Sequence, residues 1–288
     1  IPALKMTLPL ALCLDSLSDI AFFIIHILLA TMPTVIAGSV LLTIAFTKSL
    51  RQEHWYLYIF STSTGDFLSG FAFCYRGFFD VQEVYSSKTG MYFILPSLLG
   101  VNLITIMAAQ IDRYYAVTSP FKYQQKVTRN KTIGVCVGIW IYNYLLFLLH
   151  YLWSSGLAGV LQGGLALSVN IAAFTMIGLN LKLCSIAKNQ ISENFLNAEI
   201  ENKRTSVQLI TMASASYLLV WFLGFVNTCM CHLTPICFRF QHDIVNPWKV
   251  LTRCSHIATP LLCITKSSQL REAVFAKVWK PCCNHRSR

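Results

Sequence analysis

The chain has 288 residues, of which 55% are hydrophobic and only 12% charged, about half the charge a soluble domain of this size carries. That balance excludes an ordinary soluble enzyme or binding module. The net charge of +11 does not indicate nucleic-acid binding, because Lys and Arg sit in short clusters between apolar runs rather than along a polar face.

The chain begins at Ile1 rather than Met and reads as a fragment lacking part of an extracellular N-terminal segment, here residues 1–19. A helix needs roughly 20 apolar residues to cross about 30 Å of hydrocarbon, and seven runs meet that length: 20–47, 55–79, 90–117, 132–153, 159–181, 205–231 and 244–265. Thr132 to Leu181 contains no Asp, Glu, Lys or Arg and is too long for one crossing. It therefore reads as two helices, with Ser154, Ser155, Gly156, Gly163 and Gly164 offering the turn. The seventh run carries Lys249 and Arg253, costly in lipid, so both are expected to face a cavity. They stand one helical turn apart and share a face, which favours an anionic ligand if that face lines the cavity. The alternatives are snorkelling to the outer surface or pairing with Asp243 or Asp80.

Most of the 23 Lys and Arg residues fall in one set of alternate loops and in the C-terminal tail, which puts those loops inside and the N-terminus outside. No inverted internal repeat or ring of pore charges suggests a transporter or channel. After the seventh run, Ser267–Trp279 reads as a short amphipathic helix on the inner membrane surface, with Leu270, Val274, Phe275 and Val278 on its apolar face. Cys282 and Cys283 follow among basic residues and are candidate palmitoylation sites, the alternative being two unmodified thiols. The fold class is thus an all-α membrane protein: a seven-transmembrane helix bundle over 20–265, with an amphipathic eighth helix and cytoplasmic tail over 266–288.

Several motifs sit at specific places in this pattern. Asp112-Arg113-Tyr114 ends the third run and is followed by Pro120 in Ser-Pro-Phe-Lys-Tyr; Asp66 lies mid-way along the second run, Trp140 in the fourth, and Thr259-Pro260-Leu261-Leu262-Cys263 in the seventh. In these residues the chain resembles the rhodopsin-like (class A) G-protein-coupled receptors. The resemblance implies a plasma-membrane receptor whose extracellular ligand shifts a helical bundle, opening a cleft at Arg113 for a heterotrimeric G protein. It also implies that Asp66, Asn102, Ser255 and Thr259 form a polar core. There Asp66 either holds a structural sodium ion, the one metal or cofactor expected, or is only hydrogen-bonded. Trp221 and Pro260 would act as an activation hinge, since the proline frees a backbone carbonyl.

The chain also departs from the family pattern. Lys88 replaces the cysteine of the usual outer disulfide, Asn180 and Cys263 replace two inner tyrosines, Leu223 replaces the proline of the sixth helix, and the fifth lacks its proline. Gly38-Ser39 stands for Gly-Asn. The missing outer disulfide, the very short loop after the fourth helix and the cysteines around Cys231 and Cys237 resemble melanocortin receptors and their lipid-receptor relatives. Cys231 and Cys237 are candidates for a small outer disulfide, with Cys229 as an alternative partner. Leu95 stands where amine receptors carry an Asp, and Arg253 where opsins carry the retinal-binding Lys, so neither a biogenic amine nor retinal is expected. His26, His150 and His256 read as isolated structural histidines, and no nucleophile–base pair indicates an enzyme. A receptor-like protein that binds or scaffolds without signalling is the alternative to a signalling receptor.

Overall fold

The computed structural model describes residues 17–78, 94–152, 170–186, 205–220, 222 and 247–280. All described elements are helical, with no strand among them. In chain order they are α1 (Leu17–Phe46), α2 (Lys48–Gln52), α3 (His54–Phe78), α4 (Ile94–Thr118), α5 (Pro120–Lys126) and α6 (Arg129–Leu152). Then come α7 (Asn170–Ile186) and α8 (Thr205–Val220), α9 (Pro247–Lys266), and α10 (Ser268–Val274), which continues into a π-helical turn over Phe275–Trp279. A described helix falls in each of the seven expected runs, with ends shifted by a few residues and α7 continuing past the expected end at Leu181 to Ile186; the apolar stretch from Thr132 to Leu181 is shared between α6 and α7. The turn residues 154–164 lie outside the described residues.

Helices α1, α3, α4 and α6 have 30, 25, 25 and 24 residues. At about 1.5 Å per residue each exceeds the roughly 30 Å of a hydrocarbon core. Among the described residues one segment, Phe23–Phe46, is both long and apolar enough to cross a membrane by composition. Shorter apolar helices are Asn170–Ile186 and Thr205–Val220. Polar residues along the helices point inward: Asp66, Asn102, Gln110, Asn143, Arg253 and His256 are all buried. Conversely, Ile24, Leu28, Met32, Val35, Leu42, Val137, Ile141, Leu145, Phe174 and Leu181 are exposed. Water would select the reverse arrangement, whereas a hydrocarbon surround favours polar groups paired inside and apolar groups outside.

α3 is the central element, packed against α1, α4, α6 and α9, and α1 also packs on α9. Close approach of α1 and α3 depends on Gly70, where a Cβ would overlap Thr34 Oγ1 and come within 3.0 Å of the Ala30 carbonyl oxygen. A main apolar cluster joins Val40, Ile44, Tyr56, Ile59, Ile210 and Leu270 across four helices, and a second joins Leu103, Ile106, Met176 and Tyr217. Between α3, α4, α8 and α9 the packing leaves a void of only about 20 Å³, lined in part by Tyr58, Ile106, Ile210 and Thr259. That is room for about one water, so these four helices are closely packed there.

α10 is fixed at its start by Ser267, whose Oγ accepts the Leu270 N–H at 3.2 Å and lies 2.8 Å from the Tyr56 hydroxyl. Leu270 and Val274 are buried as expected, whereas Phe275 is half exposed, its ring edge-on to Trp279 with centroids 4.8 Å apart. Trp279 takes its place inward: its Nε1 donates to Ser39 Oγ at 3.2 Å, and Lys277 Nζ donates to the Phe46 carbonyl at 2.9 Å. Ser39 thus bonds between helices although it replaces the family's asparagine.

Candidate functional site

Three polar groupings lie inside the bundle. The first is at the end of α4, where Asp112 and Arg113 are both buried. Arg113 Nη2 and Nε donate to Asp112 Oδ2 at 2.6 and 3.1 Å. Tyr123, on α5, completes the group. Its hydroxyl accepts from Arg113 Nη2 at 2.8 Å and donates to Asp112 Oδ2 at 3.1 Å, while its ring centroid lies 5.7 Å below the guanidinium. Burial pushes the Tyr123 hydroxyl above the ordinary tyrosine range, so it remains a neutral donor and acceptor. Pro120 sits in the first turn of α5, where a proline suits a helix start, and this fixes the short helix that brings Tyr123 back over Arg113. Tyr114 is not part of the group; its ring faces Lys182 of α7, with Nζ 5.7 Å from the centroid. The position of Tyr123, ten residues after Arg113, was visible in the sequence but carried no distinguishing signal.

The second grouping surrounds Asp66, which is fully buried. Its Oδ1 accepts from Asn102 Nδ2 at 2.7 Å and lies 2.6 Å from His256 Nδ1. Gly65 admits this contact, because a Cβ there would overlap Asn102 Oδ1. Thr259 Oγ1 donates to the Ser255 carbonyl at 3.5 Å, and both residues are buried in α9. Asn102 therefore meets Asp66 as expected, and His256, rather than Ser255 or Thr259, supplies the contact seen from α9. The reading of His256 as isolated is corrected: one position from Ser255 and three from Thr259, it sits on the inward face of the helix. Pro260 lies within α9, and its missing N–H releases the His256 carbonyl from the helical ladder.

The third grouping contains Gln110, Asn180 and Ser214, from α4, α7 and α8. Gln110 Nε2 donates to Asn180 Oδ1 at 2.6 Å and to Ser214 Oγ at 2.8 Å, and Ser214 Oγ donates to Asn180 Oδ1 at 2.7 Å. Asn180, expected as a departure that weakens the family pattern, is thus the centre of a three-helix clasp. Trp140 Nε1 donates to Ser61 Oγ at 3.0 Å and ties α6 to α3.

Arg253 is only 4% exposed. Its Nη1 lies 2.7 Å from His26 Nδ1, and its guanidinium is 5.2 Å from the Phe73 ring centroid, while His26 Nε2 lies 3.1 Å from the Phe73 carbonyl. His26 is therefore not isolated either. Lys249 lies in α9, but its side chain is outside the described residues, as are the side chain of His150 and all of Trp221, Lys88, Leu223, Cys231, Cys237, Cys282 and Cys283. The described cysteines Cys74, Cys136, Cys184, Cys254 and Cys263 are free thiols.

Residues 37–160 match the family described as "7 transmembrane receptor (rhodopsin family)". The chain is 21% identical to "Melanocortin receptor 5" from Homo sapiens over 180 residues, covering 59% of this chain and 54% of that protein. It is 37% identical to a "Probable G-protein coupled receptor" from Oryzias latipes over 51 residues, covering 18% of this chain and 12% of that protein. The chain thus spans about half the length of the first relative and a smaller part of the second. The matched segment runs from α1 to just beyond α6 and includes Asp66, Asn102, Asp112, Arg113 and Trp140, so it is over this part, with its polar core and the Arg113 group, that the chain is similar to the rhodopsin-family receptors.

Proposed function

We propose that the chain is a multi-pass plasma-membrane receptor, N-terminus outside, that passes an extracellular ligand signal to a heterotrimeric G protein. The observation that carries this reading is the buried Asp112–Arg113–Tyr123 group at the end of α4. A guanidinium held by a neighbouring carboxylate and a phenol is a charge that a modest rearrangement of α5 would release into an opening cleft. The bundle changes population rather than chemistry, and no bond is made or broken. Lys249 and Arg253 are the candidate contacts for an anionic ligand, with α10 lying on the inner membrane surface and Cys282 and Cys283 carrying lipid.

The test is basal and ligand-stimulated nucleotide exchange on G proteins in membranes, with wild type compared to Arg113→Ala. Exchange that depends on Arg113 supports the reading. Equal null signal from both chains across the G-protein classes and a broad ligand panel favours a silent, binding or scaffolding protein. The Gln110–Asn180–Ser214 clasp specifically favours that second reading, because it ties together α4, α7 and α8 where the family's inner tyrosine is missing. Loss of response to an anionic ligand in Lys249→Gln or Arg253→Gln would support the ligand assignment, and unchanged potency in both would remove it.

A further inference from the structure

The family resemblance places a sodium ion at Asp66, yet the groups that face this carboxylate here are of the wrong kind for a hard cation. Such an ion is held by oxygen ligands rather than by N–H groups. Instead two nitrogens converge on Asp66 Oδ1, Asn102 Nδ2 at 2.7 Å and His256 Nδ1 at 2.6 Å. Asn102 turns its amide hydrogens, not its oxygen, toward the acid. His256 is fully buried and its ring occupies the space on the α9 side of the carboxylate, edge-on to Phe73 with centroids 5.5 Å apart. Thr259 Oγ1 is directed to the Ser255 carbonyl rather than to Asp66.

We propose that His256 takes the place at Asp66 that a resident cation would hold, so that the polar core is closed by the chain's own side chain and does not bind sodium. The inference concerns the core alone and stands whether or not the chain couples to a G protein. Three further oxygens are buried without a hydrogen bond: Asp66 Oδ2, Asn102 Oδ1 and Ser69 Oγ. Removing the imidazole would leave the Asp66 carboxylate with an unfilled side on α9, where a small hard cation could be held by oxygen.

The test is thermal unfolding of the purified full chain in sodium chloride and in choline chloride at equal ionic strength, a readout independent of signalling. Wild type is expected to melt at the same temperature in both salts, within about 1 °C, and His256→Ser about 2–4 °C higher in sodium. A sodium-specific rise in wild type that Asp66→Asn abolishes would overturn the proposal. So would a folded His256→Ser chain with no response to sodium. If His256→Ser does not fold, wild type and Asp66→Asn carry the test by themselves: an equal melting difference between them in both salts supports the proposal, and a larger difference in sodium defeats it.

Discussion

Tyr123→Phe isolates the hold on Arg113 with little change in shape. The substitution removes one oxygen, which accepts from Arg113 Nη2 at 2.8 Å and donates to Asp112 Oδ2 at 3.1 Å, and keeps the ring beneath the guanidinium. Hydrogen bonds to charged groups each contribute about 1.5–3 kcal/mol. The full sum is not lost, because Arg113 and Asp112 retain their mutual bonds at 2.6 and 3.1 Å, so a net weakening of about 1–3 kcal/mol is expected. If the released state is a minor population, its share rises about 5- to 150-fold, up to the point where it ceases to be minor. The assay is basal nucleotide exchange per receptor in membranes, normalised to surface expression. A several-fold rise in Tyr123→Phe that is lost again in Tyr123→Phe/Arg113→Ala is the predicted result. An unchanged basal rate in Tyr123→Phe, in a chain whose exchange does depend on Arg113, would refute the reasoning.

Other predictions concern the packing. Asn180→Ala should lower stability by about 1–3 kcal/mol, since Gln110 Nε2 and the Ser214 hydroxyl both lose a buried acceptor; thermal unfolding would show a fall of several degrees. Gly70→Ala should destabilise by about 1–3 kcal/mol through overpacking of α1 against α3. Gly138→Ala, where an added Cβ meets nothing within 4 Å, should be neutral or slightly stabilising, and melting of the two variants side by side separates contact from propensity. Trp279→Phe should cost about 0.5–1.5 kcal/mol through loss of its bond to Ser39, detected as faster proteolysis of the α10 segment with little change in overall melting.

Periodicity and charge were enough to place the helices, because hydrocarbon imposes a minimum length and penalises buried charge wherever it is unpaired. The division of the Thr132–Leu181 stretch followed from that rule, and the inward position of Asp66 from the resemblance together with the cost of a carboxylate in lipid. Pairings inside the bundle were less accessible. Which α9 residue reaches Asp66 depends on the rotation of that helix by about one position, a difference that one run of sequence around Pro260 does not define; hence His256 was passed over in favour of Ser255 and Thr259. Similarly, the clasp at Asn180 joins residues up to 104 positions apart, and a lone Gln, Asn or Ser in an apolar run gives no hint of its distant partner. Tyr123 reaches Arg113 through the short helix that Pro120 starts, a placement that no residue pattern before it announces.

The account rests most heavily on a membrane-spanning bundle whose Arg113 end faces the cytosol. Its direct test is labelling of single cysteines introduced between Ser119 and Thr128, using a membrane-impermeant reagent on intact and on permeabilised cells, in a background where the native reactive thiols are replaced. Labelling that appears only after permeabilisation is the predicted result. Equal labelling of intact cells would place this segment outside and contradict the account.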